Sequence, residues 1–85
     1  MKVSPAKRHR VAVAFGAAFK AVRQQRGKSH EDLADDAGLD RTTFSLWERA
    51  LRTPTLITLF EVADALRVEP TQLVADTVQR IREAP

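Results

Sequence analysis

His30-Glu31-Asp32-Leu33-Ala34-Asp35-Asp36-Ala37-Gly38-Leu39-Asp40-Arg41-Thr42-Thr43-Phe44-Ser45-Leu46-Trp47-Glu48-Arg49 is a pair of short amphipathic stretches joined at Ala37-Gly38-Leu39. Ser29 stands before the first stretch, where its hydroxyl can cap a helix, and Asp32, three residues on, completes a shortened capping box. Glu31 and Asp32 fall in the first turn, where the helix dipole favours negative charge. Leu33 and Ala37, four apart, define the buried stripe. Gly38 then supplies the left-handed residue that ends a helix, and Leu39 fills the corner. Asp40 caps a second helix running to about Ala50. At 100° per residue, Phe44, Trp47, Glu48 and Leu51 share its inner side. Thr42, Ser45, Leu46 and Arg49 share the outer side, with Arg41 at the exposed first turn. Two helices on a tight turn, the second with its outer side free, make a shape that fits a DNA major groove.

The flanks predict helix throughout. Ser4-Pro5 is a cap followed by a proline suited to a first helical position. Val11, Phe15, Ala18, Phe19 and Val22 form a stripe that stops before Gly27. Residues 1–14 make a basic extension that either prolongs the first helix or forms a separate turn hinged at Gly16. Residues 15–85 make the domain proper. Arg52-Thr53-Pro54-Thr55 is a loop, and Leu56, Leu59, Phe60, Ala63 and Leu66 give a fourth helix its stripe. After a break at Arg67-Val68-Glu69, Pro70 opens a fifth helix, spanning 70–83. Leu73 serves the domain's own core. Val74, Val78 and Ile81 are left as an apolar stripe that either meets a second copy or folds back on the first helix.

Composition bounds the classes. Eighty-five residues make one small domain, a size that often gains stability by dimerising. The absence of cysteine removes disulfides and thiolate metal sites and suits a cytoplasmic setting. No stretch reads as a membrane span or a cleaved leader. The net charge is only +3, but every acidic residue lies at or after Glu31. Lys2, Lys7, Arg8, Arg10, Lys20, Arg23, Arg26 and Lys28 crowd the first thirty residues, which points to an anionic partner, nucleic acid first. His9 and His30 have no cysteine or carboxylate at ligand spacing, and no serine has a base partner or phosphate loop near it. The reading is of a protein without catalysis, metal or cofactor.

The order Arg23-Gln24-Gln25-Arg26-Gly27-Lys28-Ser29-His30-Glu31-Asp32-Leu33-Ala34, Ala37-Gly38-Leu39, Trp47-Glu48-Arg49, Pro54-Thr55-Leu56 resembles the phage-repressor/Cro-type (XRE-like) helix-turn-helix family, over roughly Phe15 to Val74. The resemblance implies an all-α, five-helix, lambda-repressor-like domain that binds DNA as a dimer and regulates transcription. It makes the helix near Asp40–Ala50 the recognition helix. It also sets Arg23 against Glu48 as a structural ion pair. Two positions depart from the pattern. His30 stands where the family most often has Gln, and Ala50-Leu51 where a glycine is common.

The expected base contacts are Arg41, Thr42, Ser45, Leu46 and Arg49. Arginine matches guanine bidentately, and threonine and serine bond several base edges. Leu46 either touches a thymine methyl or leans on the following loop. The expected phosphate contacts are Ser29, His30, Thr43, Arg52 and Thr53, with the first two at a helix N-terminus that attracts anions. The functional expectation is a homodimeric, sequence-specific regulator on an inverted-repeat operator in double-stranded DNA, more a repressor than an activator. An antitoxin with a toxin partner, and a protein-interaction adaptor on the same fold, are the rival readings.

Overall fold

The computed structural model describes residues 2–84, so Met1 of the basic segment and Pro85 lie outside the described residues. Among the described residues there are five helices and no strand: α1 (Pro5–Gln25), α2 (His30–Ala37), α3 (Arg41–Glu48), α4 (Leu56–Leu66) and α5 (Pro70–Glu83). Each begins on a signal carried by the sequence. Ser4 accepts a hydrogen bond from the Lys7 N–H, Ser29 and Asp32 form a reciprocal capping box, and Asp40 accepts from the Thr42 N–H. Thr55 accepts from the Thr58 N–H, and Pro70 opens α5. Gly38 ends α2 at φ 68°, in the left-handed region that glycine enters without strain.

Of the two conformations the sequence left open for the basic segment, the structure has the continuous one: α1 runs through Gly16 without a break. Gly16 is a point of close approach instead. A Cβ there would collide with the backbone carbonyl oxygen of Trp47, so the bare Cα lets α1 settle onto α3. Phe15, Phe19, Phe44 and Trp47 then interlock, with Trp47 edge-on to the other three at centroid distances of 5.8, 5.4 and 5.3 Å. Leu33 of α2, Val62 and Leu66 of α4 and Leu73 of α5 complete a core closed to solvent. α5 lies along α1, and the buried Thr77 hydroxyl donates to the Leu73 carbonyl at 2.7 Å.

Three sequence expectations shift. The buried stripe of α4 is Leu59, Val62, Ala63 and Leu66, while Leu56 and Phe60 stand out in solvent. The helix is apolar on two sides, so periodicity alone does not fix its rotation. Val11 is exposed while Ala12 and Ala14 are buried, so at this end of α1 the small alanines, not the predicted valine, face the domain. The third shift is the end of α3 at Glu48, short of Ala50, which leaves Leu51 exposed. Leu51 N–H bonds the Leu46 carbonyl at 2.9 Å and Ala50 N–H the Trp47 carbonyl at 3.1 Å, a Schellman stop with Ala50 at φ 60°. A Cβ in that region is strained by about 1–2 kcal/mol. Ala50→Gly is therefore expected to raise stability by about 1 kcal/mol. Urea titration of both forms checks this, and an unchanged midpoint would show that the turn relaxes around the methyl group.

Candidate nucleic-acid interface

The start of α2 and the first half of α3 open onto one shallow cleft, which brings together Ser29, His30, Arg41, Thr42 and Ser45, with Glu31 and Arg23 at its side. Phe44 and Trp47 hold α3 by its inner face, so Thr42 on the outer face is exposed and Ser45 and Leu46 are half-buried at its margins. Thr43 is half-buried on the flank away from Arg41, about 200° around the helix. Arg49 is exposed but lies beyond the last turn as the C-cap, not within the helix. Arg52 and Thr53 stand exposed in the α3–α4 loop and do not line this cleft.

Beneath the cleft sits an ionic cluster. Arg23 Nε donates to Glu48 Oε2 at 2.9 Å and a terminal nitrogen donates to Oε1 at 3.2 Å, while the other terminal nitrogen donates to the Lys28 carbonyl at 2.8 Å. The two side chains are only 13% and 10% exposed. His30 Nε2 lies 2.8 Å from the same Glu48 Oε2, with its ring beside Phe44. Sequence reasoning placed His30 outward, toward phosphate, and missed this third partner. A carboxylate only accepts, so Nε2 carries the proton and donates to Glu48. Burial alone would raise the Glu48 carboxyl; the Arg23 and His30 hydrogen bonds outweigh it and hold the group below the ordinary glutamate value. The cluster ties α1, α2 and α3 into one unit under the exposed face.

Around the rim, Asp32 is held below the ordinary aspartate value by Ser29's hydroxyl and backbone, and Asp40 by Thr42's backbone and hydroxyl. Thr42 Oγ1 donates to Asp40 Oδ1 at 2.9 Å, which leaves its lone pairs free to accept from outside. Arg41 donates to Glu31 Oε1 at 2.8 Å, a pair exposed at 65% and 72%. Such a pair contributes about 0–1 kcal/mol and opens readily. The sequence marks Glu31 only as a first-turn carboxylate; its link to Arg41 crosses the turn, where no helical spacing rule applies.

The expected stripe on α5 divides. Val74 and Val78 are exposed, at 48% and 37%. Ile81 is half-buried and shares a groove with Val13, Ala14 and Ala17 of α1. Leu56, Ile57 and Phe60 of α4 are exposed at 69%, 76% and 55%, and Leu56 and Phe60 line a shallow groove with Val74. These α4 residues were missed because periodicity assigned two of them inward.

A capped short helix held by its inner face, braced by a second helix across a glycine turn, is the build of a groove-reading DNA-binding module. The chain belongs to the helix-turn-helix family, whose model, described as Helix-turn-helix, matches residues 19–73. An HTH-type transcriptional regulator of Sinorhizobium fredii, y4dJ, is 37% identical over 62 residues, covering 73% of this chain and 80% of that protein. Among solved structures, the restriction-modification controller protein C.AhdI from Aeromonas hydrophila is 37% identical with a TM-score of 0.70, covering 73% of this chain and 94% of that one. The controller protein C.Esp1396I, solved as a tetramer in complex with its natural 35 base-pair operator, is 27% identical with a TM-score of 0.76, covering 86% and 96%. No helix among the described residues is long and apolar enough to cross a membrane.

Proposed function

We propose that this protein is a sequence-specific regulator of transcription that binds an inverted-repeat operator as a homodimer, with α3 in the major groove. The observation that carries the reading is the outer face of α3, free of the core and opening onto the same cleft as the α2 N-terminus. Arg41, Thr42, Ser45 and Leu46 address base edges. Arg49, at the far end of α3, is the member of that set best placed to take a phosphate instead. Ser29, His30, Thr43, Arg52 and Thr53 hold the backbone. Repression by occupancy of a promoter-overlapping site, its own included, needs nothing more than this domain. The reading places the chain in the cytoplasm with its DNA and assigns it no catalysis.

The dimer is drawn from Leu56, Ile57, Phe60, Val74 and Val78, an apolar face of α4 and α5 that this domain leaves uncovered. Ile81, half-buried and lining a groove beside α1, is not counted in this face. The operator-bound tetramer of C.Esp1396I, at 27% identity, supports assembly on DNA.

Selection of the full chain on a randomised duplex library tests the function. Enrichment of two half-sites about 34–36 Å apart, centre to centre, is expected; enrichment of nothing, or of a lone half-site, removes the reading. Phe60→Asp with Val74→Asp is expected to leave monomers in sedimentation equilibrium and weak operator binding. An intact dimer would move the interface elsewhere.

A further inference from the structure

We propose that the first turns of α1 extend the backbone contacts assigned to Arg52 and Thr53 of the α3–α4 loop into one sequence-independent site for DNA phosphates, outside the cleft that reads bases. The proposal rests on the reading of this chain as a DNA-binding protein and extends it to an element the helix-turn-helix does not include. The family match begins at residue 19, so Lys7 and Arg8 lie outside the shared module.

The placement of these cations is unusual for a merely solvated end. Arg8 precedes Ala12, Phe15 and Phe19 on one stripe, and Lys7 precedes Val11, Ala14, Ala18 and Val22 on the next. Both therefore stand on the side of α1 that packs against the domain, one or two turns beyond the core. There they meet the α3–α4 loop: Lys7, Arg8, Arg52 and Thr53 line one cleft, with Val11 and Leu51 as its apolar part. These four polar residues, and His9 beside them on the cleft, are exposed. The ion pairs among the described residues engage Arg23, Lys28, His30 and Arg41, and leave Lys7, Arg8 and Arg52 without a carboxylate. Three unneutralised cations facing one cleft create a positive potential that an anion relieves.

The ligand follows from continuity and chemistry. Arg52 and Thr53 come directly after the turn that ends α3, so a duplex lying on α3 passes this loop. A strand of DNA presents phosphates separated by deoxyribose. Cations around an apolar floor match that alternation, with Val11 and Leu51 against the sugar. The site is also preformed. α1 is helical from Pro5 with Ser4 as its cap, so Lys7 and Arg8 ride on a fixed rod and little ordering opposes binding.

The test uses the full chain with a labelled duplex of random sequence and the duplex enriched by selection, titrated over a potassium chloride series. The variant is Lys7→Ala with Arg8→Ala. A charge-matched control, Arg80→Ala with Arg82→Ala, removes two exposed cations from α5. For the variant, the slope of log affinity against log salt is expected to fall by about 0.9 for each phosphate no longer neutralised, about 1.8 per bound subunit and about 3.6 for a dimer. Both duplexes should weaken by the same factor, with the control keeping the parent slope. A variant slope equal to the parent's, the result expected if the cleft serves an acidic protein, overturns the proposal. An equal drop in the control reduces it to bulk charge and overturns it too. If the parent binds neither duplex, the DNA-binding reading itself has failed, an outcome distinct from a parent that binds and a variant that binds equally well.

Discussion

Glu48→Ala is expected to destabilise the domain by about 3 kcal/mol, the lower end of what removing one partner from a buried pair costs, because this pair is part-buried. A chain of this size has roughly 4–13 kcal/mol in total, so the loss takes much of the margin. Arg23 is 13% exposed and loses two of its three hydrogen bonds, keeping only the Lys28 carbonyl. His30 loses its Glu48 partner in the same step. A charge left under the α2–α3 unit without a counter-ion is costly to keep dry, so the helices must loosen to admit water. Acidification imitates the change. The folded Glu48 carboxyl lies below its ordinary value, so its contribution is present above the unfolded glutamate value of about 4.3 and is lost as pH falls through the folded one. The stability gap between parent and Glu48→Gln should therefore narrow on going from neutral pH to below about pH 4. Urea unfolding at both pH values measures it; a variant that melts with the parent at neutral pH would show the pair to be dispensable.

What the sequence made legible, and what it did not, divides along physical lines. Caps and turns are local: Ser4, Ser29, Asp40 and Gly38 act within three or four residues, and the four boundaries they mark lie where they stand. The inner faces of α2 and α3 were legible because Leu33, Phe44 and Trp47 are sparse apolar residues among polar ones. The rotation of α4 was not, since Leu56, Ile57, Leu59, Phe60 and Val62 satisfy more than one stripe and only docking on α2 and α5 chooses. The same ambiguity hid the exposed apolar face. The end of α3 was misjudged because an alanine, not a glycine, occupies the left-handed position, so the usual stop signal is missing. His30–Glu48 and Arg41–Glu31 join residues brought close only by the α2–α3 crossing, and no spacing rule reports them.

Arg41→Ala and Thr42→Ala are each expected to weaken operator binding by about 1–3 kcal/mol, the worth of one well-matched bond to a base edge, and to relax preference at one or two positions in each half-site. The fold should hardly notice either change. Arg41 gives up only its exposed pair with Glu31. Thr42→Ala removes the hydroxyl bond to Asp40, but the Thr42 N–H still donates to the same oxygen at 2.9 Å, so the α3 cap survives. Thermal midpoints close to the parent's are the control for this. The two variants should differ on random DNA. Arg41→Ala loses a charge that attracts any phosphate, whereas Thr42→Ala loses a hydrogen bond that matters only against the right base. On the operator, Arg41 must first leave Glu31, so Glu31→Gln, which frees the guanidinium, should tighten binding modestly. Competition binding against a randomised operator library reads preference and affinity together. If both alanine variants keep the parent's preference, Arg41 and Thr42 do not read the bases, and reading by the first turn of α3, where the two side chains open onto the cleft beside the α2 N-terminus, is wrong.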